Sequence, residues 1–163
     1  MKRELAGLYP RLWRYALVLT GTRADADDLA QAAVLRAIEK AHLFAAGTHL
    51  DRWVFRIAQR IWQNELRSSA VRRGQGLFSV DEIELPDKKP SAETNSLARQ
   101  VLSEVGNLPE AQRATVMLVY VEGFTYAEAA ELLGIPIGTV MSRLSAARGR
   151  LSKRFGANQA GND

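Results

Sequence analysis

The segment from residue 137 to residue 154 combines small and basic side chains in a pattern that suits contact with double-stranded DNA. Arg143 and Arg150 flank one edge of a helical face, and Met141 and Arg148 flank the other. Small side chains allow a close approach to base edges in the major groove, while guanidinium groups reach phosphates. The face between the two edges contains only small residues: Gly138, Ser142, Ser145, Ala146 and Gly149.

A sharp break precedes this segment. Gly134 can end the preceding helix, and Pro136 prevents that helix from running straight on. The break would set the second helix across the first, as in a helix-turn-helix. An antiparallel helical hairpin with a solvated basic face is the alternative. The turn, the small face and a capping pattern at Thr125 and Glu128 agree with one another and favour DNA binding.

A second basic stripe lies in the N-terminal half of the chain. Arginines with an interleaved aromatic ring suit a nucleic-acid backbone with unstacked bases, and Trp62 falls beside the stripe. A solvated face with Trp62 in the core explains the same pattern equally well. The stripe consists of Arg52, Arg56, Arg60, Gln63 and Arg67, and the stripe predicted to be buried consists of Leu50, Trp53, Val54, Ile57 and Ile61.

Three carboxylates, those of Asp25, Asp27 and Asp28, lie in the first turns of another predicted helix. Negative charge is favourable there because it complements the helix dipole, so capping explains the cluster. An acidic surface for protein docking is the functional interpretation.

The sequence offers no group of residues suited to catalysis. His42 and His49 lie in or beside one loop, without a Ser/His/Asp set, a phosphate-cradling loop or a metal-ligand cluster. The chain contains no cysteine, which excludes disulfides and zinc sites built on thiolates. We expect no enzymatic activity, no cofactor and no metal.

The N-terminal apolar stretch is too short for a signal peptide or a membrane span, so we expect a cytoplasmic protein. The net charge of +4 favours a polyanionic partner.

The spacing of apolar residues is helical almost throughout and predicts an all-α chain. Two glycines, two prolines and an acidic cluster interrupt this pattern and indicate a flexible linker between two small helical domains. The predicted organisation is a first domain over 1–70, the linker over 71–92, a second domain over 93–156 and a disordered tail over 157–163. The predicted helices cover 3–20, 22–44, a stretch that starts at Thr48 and Asp51, 93–106, 109–122, 125–133 and 137–155.

Three segments together resemble the extracytoplasmic-function (ECF) group of bacterial sigma-70-family initiation factors. They are "DADDLAQAAVLRAIEKAHLF", "LDRWVFRIAQRIWQNELR" and "LPEAQRATVMLVYVEGFTYAEAAELLGIPIGTVMSRLSAARGRL". The resemblance covers residues from about 5 to 155. It implies a sigma region 2 helical bundle, a region 4 helix-turn-helix, and a factor that binds core RNA polymerase and directs initiation through the −10 and −35 promoter elements.

The resemblance assigns residues to three contacts. Docking on the clamp helices of core polymerase would involve Asp27, Asp28 and Gln31. The −10 element would be held by Phe44, Gly47, Thr48, His49, Arg56, Arg60 and Asn64. The −35 duplex would face Thr139, Met141, Ser142, Arg143, Ser145, Ala146, Arg148 and Arg150. Region 4 would also contact the polymerase flap, and the family implies an anti-sigma factor that restrains the protein.

Some positions depart from the family pattern. Many members have a basic residue where Met141 and Ala146 stand, which leaves the promoter sequence open. Two other functions remain possible at this point. The chain could be a sigma-like interaction protein that sequesters an anti-sigma factor without initiating transcription. It could also be a plain helix-turn-helix regulator, although that function leaves residues 1–70 unexplained.

Overall fold

The structure, a computed structural model, describes residues 1–66, 100 and 103–160, and within these residues it contains helices and turns but no strand. The all-α prediction is thereby confirmed. The predicted linker and most of the predicted helix over 93–106 lie outside the described residues. The helices are α1 (Lys2–Thr20), α2 (Arg23–Glu39), α3 (Leu50–Ile61), α4 (Glu110–Val116), α5 (Tyr126–Leu133) and α6 (Ile137–Ala160). A 3-10 turn (Ala41–Leu43) follows α2, and π turns extend α3 (Trp62–Leu66) and α4 (Met117–Val121).

Local signals in the sequence set several helix ends. The hydroxyl of Thr22 accepts a hydrogen bond from the backbone N–H of Asp25 and caps α2. The capping box of α5 is complete: the Thr125 hydroxyl accepts from the Glu128 N–H at 3.1 Å, and the Glu128 carboxylate accepts from the Thr125 N–H at 3.0 Å. Gly134 ends α5 in the left-handed region, with φ of 68°. Gly134 therefore begins the turn between α5 and α6.

The predicted boundaries around the loop after α2 are wrong. The helix ends at Glu39 instead of Phe44, and the chain continues as the 3-10 turn. The cap of α3 is His49, whose side chain makes no capping hydrogen bond. The hydroxyl of Thr48, the predicted cap, donates to the carbonyl of Ala45 at 2.7 Å. The Thr48 side chain therefore stabilises the loop and not the helix start. The last helix also runs beyond its predicted end at residue 155, through Ala160 and into the predicted tail.

The first three helices share an apolar core that fixes how α3 is rotated. Val54, Phe55 and Ala58 of α3 are fully buried, whereas Trp53 and Ile57 are only partly buried. The buried arc of α3 is therefore turned by roughly 100° from the stripe predicted by the sequence. This rotation is explained by Phe55, which is not part of the predicted stripe. Its ring packs beside that of Tyr15 of α1, with centroids 5.0 Å apart.

The second core lies between α4, α5 and α6. The apolar spacing of α6 predicts a buried face that consists of Ile137, Val140, Leu144, Ala147 and Leu151. Val140, Leu144 and Ala147 are buried and Leu151 is partly buried, but Ile137 is 49% exposed and does not belong to this core. Ile137 occupies the first turn of α6, where the helix has only just left the turn at Pro136. The two cores are in contact, because α1 packs against α4 and α3 packs against α5. None of the described helices has the length and apolar character needed to cross a lipid bilayer.

Candidate nucleic-acid interface

The outer face of α6 is open to solvent along the small residues predicted to meet a duplex. Ser142, Ser145 and Ala146 are exposed, and Met141 is 52% exposed. A Cβ atom added at Gly149 would meet nothing within 4 Å, so none of the described elements covers this part of the face. The helix can therefore approach a flat or concave polyanion closely.

The polar residues at the edges of this face differ in their exposure to solvent. Thr139 and Arg143 are partly buried, whereas Arg148 and Arg150 are exposed. The Nη1 atom of Arg148 donates a hydrogen bond to the phenol oxygen of Tyr120 at 2.6 Å. Tyr120 belongs to the π turn after α4 and is itself half exposed, so it holds this guanidinium at one side of the face. Sequence reasoning missed Tyr120, because its apolar neighbours are typical of a buried helix.

The loop before α3 presents its tip to solvent. Phe44 anchors it, because its ring packs on that of Trp53 with centroids 5.2 Å apart. Gly47 has φ of 87°, a conformation that favours glycine, and it turns the chain between exposed neighbours. Thr48 and His49 are likewise exposed, so the loop side chains predicted to capture a base are accessible.

The predicted arginine stripe on α3 is divided between two environments. Arg60 and Asn64 are exposed and extend the open surface beyond the loop. Arg56, in contrast, donates from Nη2 to the Oε1 atom of Glu131 on α5 at 2.5 Å. One turn earlier, Arg52 donates from Nε to Oε2 of Glu128 at 2.7 Å. The structure thus brings the two arginines nearest the loop against the second domain.

Trp62 is buried, and the interpretation of its ring as exposed for base stacking is wrong. The side chain is only 1% exposed, and its Nε1 atom donates to the Oε1 atom of Glu110 at 3.2 Å. The reason is the rotation of α3, since Trp62 lies four residues after Ala58 on the same buried arc.

The acidic cluster on α2 has members with different roles. Asp25 is buried and accepts a hydrogen bond from the Thr22 hydroxyl at 2.9 Å. Asp27 accepts from the indole Nε1 of Trp13 at 2.7 Å. Asp28 is exposed, and at helical spacing it begins a strip that the sequence reasoning did not assemble. The exposed members of this strip are Asp28, Gln31, Leu35 and Ile38.

A network at the contact between the two domains was not predicted. Arg11 of α1 donates from Nε to Oε2 of Glu122 at 2.7 Å and from Nη2 to Oδ2 of Asp51 at 3.2 Å. The Glu122 side chain is only 3% exposed. Arg11 and Glu122 are 111 positions apart in sequence, so no local pattern could have paired them.

The carboxylate of Glu128 yields a pH prediction. The hydrogen bond from Arg52, followed by that from the Thr125 N–H, lowers its pKa from 4.5 to about 2. A lowered pKa contributes stability above pH 4.5 that is lost as the pH falls toward 2. We expect the free energy of unfolding to decrease across this window by about 1 kcal/mol more than in Glu128→Gln, a modest value because the pair is partly exposed. Urea titrations at several pH values measure the difference, and identical pH dependence in both proteins would contradict it.

Family models match both domains of the chain. Residues 6–72 match the family model described as "Sigma-70 region 2", and residues 98–151 match "Sigma-70, region 4". The chain is 35% identical over 136 residues to the ECF RNA polymerase sigma factor SigL of Mycobacterium tuberculosis, covering 82% of this chain and 76% of that protein. It is 29% identical over 154 residues to the ECF RNA polymerase sigma factor EcfG of Rhodopseudomonas palustris, covering 93% of this chain and 83% of that protein.

A solved structure is also similar. It contains the sigma factor RpoE in complex with the anti-sigma factor NepR from Bartonella quintana. The similarity has a TM-score of 0.71 with 27% sequence identity and covers 93% of this chain and 94% of that chain.

Proposed function

Since the chain belongs to the ECF group of RNA polymerase sigma factors, we propose that its two domains divide promoter recognition between them. The second domain would read the −35 duplex and the first would hold the −10 element. The observation that carries this proposal is the open, small-residue face of α6, bordered by arginines and set by the turn at Gly134.

At the −35 element, Ser142, Ser145 and Ala146 would lie over the base edges. Ala146 can contact a thymine methyl group, while a serine hydroxyl can donate to or accept from either strand. Thr139, Met141, Arg143, Arg148 and Arg150 would border this contact and reach the phosphates or neighbouring bases.

At the −10 element, the loop from Phe44 to His49 would capture a base that has left the helix stack. Its exposed tip at Gly47 and Thr48 supports this role, because a flipped base needs a site that protein side chains do not fill. Arg60 and Asn64 would contact the melted strand beyond the loop, and Arg56 would join them once released from Glu131.

Core polymerase would dock on the strip of α2 that begins at Asp28. An exposed carboxylate and amide beside Leu35 and Ile38 combine charge selection with apolar contact area, as interfaces usually do. Asp27 would support this surface through Trp13 instead of presenting its carboxylate fully. Region 4 would contact the polymerase flap.

The similarity to RpoE in its complex with NepR supports an anti-sigma factor as a further partner. We infer that such a partner holds both domains and covers their DNA faces. The protein would act in the cytoplasm as an initiation factor without catalysis of its own. The sequestering function remains the second candidate, because the same anti-sigma contact would serve it.

Run-off transcription with purified core polymerase tests the proposal directly. Specific transcripts that require both the core enzyme and this chain, on genomic promoter fragments, are the expected result. If no transcripts form while the chain binds a small helical partner tightly, the sequestering function is correct instead.

The first residue-level prediction concerns Arg143. In the polymerase holoenzyme, Arg143→Ala is expected to weaken promoter binding and to reduce the salt dependence of log K by about one phosphate contact. Fluorescence anisotropy at several salt concentrations measures the slope. Arg3→Ala, which removes an exposed arginine from α1, is the matched control and should leave the slope unchanged. Equal slopes for all three proteins would remove Arg143 from the phosphate contacts.

A further inference from the structure

The contact between α3 and α5, called the seam below, is built from ion pairs in register. Arg52 and Arg56 lie one turn apart on α3, and their partners Glu128 and Glu131 lie one turn apart on α5. The N–O distances are 2.7 Å and 2.5 Å. Two successive pairs of one polarity define both the position and the direction of α5 across α3.

The centre of the seam is apolar. Phe124, in the loop before α5, is 2% exposed, and its ring lies 5.6 Å from that of Phe55 on α3. The guanidinium carbon of Arg52 lies 4.1 Å from the Phe124 ring centroid, so this arginine contacts both a carboxylate and an aromatic face. The ion pair between the partly exposed Arg11 and the buried carboxylate of Glu122 closes the other side.

The ion pairs that cross between the domains all have the same polarity. The first domain supplies the arginines Arg11, Arg52 and Arg56, and the second supplies Glu122, Glu128 and Glu131. On the side of the first domain, the carboxylate of Asp51 also pairs with Arg11 and Arg52. A carboxylate presents two oxygens to a guanidinium much as a phosphate does. The acidic side of α5 therefore offers α3 the same type of ligand that a nucleic-acid backbone would.

Arg56 is only partly satisfied by this arrangement. Its Nε atom is buried and has no hydrogen-bond partner among the described residues, while Nη2 alone reaches Glu131. A buried donor without a partner has a desolvation cost, and a second acceptor oxygen would remove that cost. A phosphate can contact both nitrogens of the fork at once.

We propose that Glu128 and Glu131 act as an internal substitute for DNA phosphates, so that the closed chain masks Arg52 and Arg56 until the seam opens. This inference rests on the proposed role of α3 at the −10 element. The masking is selective, because the face of α6 stays open while the seam is closed. Partly exposed ion pairs weaken as salt is raised, so added salt shifts the chain toward the open form.

The chain has no cysteine, which allows a direct measurement of opening. Ala24→Cys on α2 and Ser152→Cys on α6 are exposed positions that would carry a pair of fluorescent dyes. The test variant is Glu128→Gln with Glu131→Gln, in which glutamine preserves the capping pattern of α5. The matched control is Glu4→Gln with Glu104→Gln, which changes the net charge by the same amount. Glu4 and Glu104 each form an ion pair only within their own domain.

The test variant is expected to show lower energy transfer than the wild type and about tenfold tighter binding of a labelled single-stranded oligonucleotide carrying a −10 sequence. Circular dichroism confirms that each variant is folded. The control should match the wild type in both measurements. Unchanged energy transfer, or opening without tighter binding, would overturn the masking.

A charge exchange provides an independent measurement. Arg56→Glu alone should open the seam, and Arg56→Glu combined with Glu131→Arg should close it again, as judged by energy transfer only. Failure of the exchange to restore closure would overturn the pairing. Run-off transcription by the wild type separates the two proposals. Transcripts with no effect of the seam variants leave the sigma function intact, whereas opening with tighter oligonucleotide binding but no transcripts would overturn only the initiation role.

Discussion

Replacement of Trp62 by alanine is expected to lower the free energy of unfolding by about 3–5 kcal/mol. The indole is among the largest fully buried side chains, and its removal would leave a cavity that the surrounding helices can fill only in part. The change also removes the donor that Glu110 accepts from, across the contact between the two domains. Urea denaturation followed by far-ultraviolet circular dichroism measures the loss.

Trp53→Ala is the matched control, because it removes the same side chain from a partly buried position of the same helix. Its expected cost is about 1–2 kcal/mol, mainly from the lost packing on Phe44. If Trp62→Ala cost no more than Trp53→Ala, the indole would have to be turned outward in solution. The interpretation of Trp62 as a base-stacking residue would then return.

The charge reversal Asp28→Lys is expected to weaken binding to core polymerase by about 30-fold or more, since reversal in an interface replaces attraction with repulsion. Asp28 is exposed at the start of the strip proposed to dock on polymerase, so the thermal midpoint should change little. Binding to labelled core polymerase, measured by fluorescence, gives the affinity.

Glu4→Lys is the control for the change in net charge, because Glu4 is an exposed residue on α1, away from the strip on α2. It should retain the affinity of the wild type. Normal polymerase affinity in Asp28→Lys would refute the docking surface. A large loss of stability in this variant would instead show that Asp28 serves the fold.

Short-range signals allowed much of the second domain to be predicted. The capping box at Thr125, the left-handed Gly134 and the buried positions Val140 and Leu144 depend on residues within a few turns of one another. Such patterns determine helix ends and one face of a helix whatever the rest of the chain does. The predicted exposure of the small face of α6 has the same origin.

The spacing of apolar residues alone could not predict how α3 is rotated about its axis. Two overlapping apolar arcs run along this helix, one through Trp53 and Ile57 and one through Phe55 and Trp62. Which of them is buried depends on the partner surface that α1 offers, including the hydrogen bond from Tyr15 to the Gln59 Oε1 atom at 2.6 Å. The ion pair between Arg11 and Glu122 could not be predicted for a related reason, because only the folded chain brings these two residues together.

The two carboxylate oxygens of Glu128 have different hydrogen-bond partners, and this affects how the second domain can move away from the first. Oε1 accepts from the backbone of Thr125 and holds the start of α5, while Oε2 accepts from Arg52. When the seam opens, only Oε2 loses its protein partner and becomes hydrated, while Oε1 continues to cap the first turn of α5. If the seam opens as proposed, the helix-turn-helix would leave α3 as a rigid body. It would meet a promoter already ordered, so the affinity for the duplex would not be diminished by the entropy of folding a recognition helix.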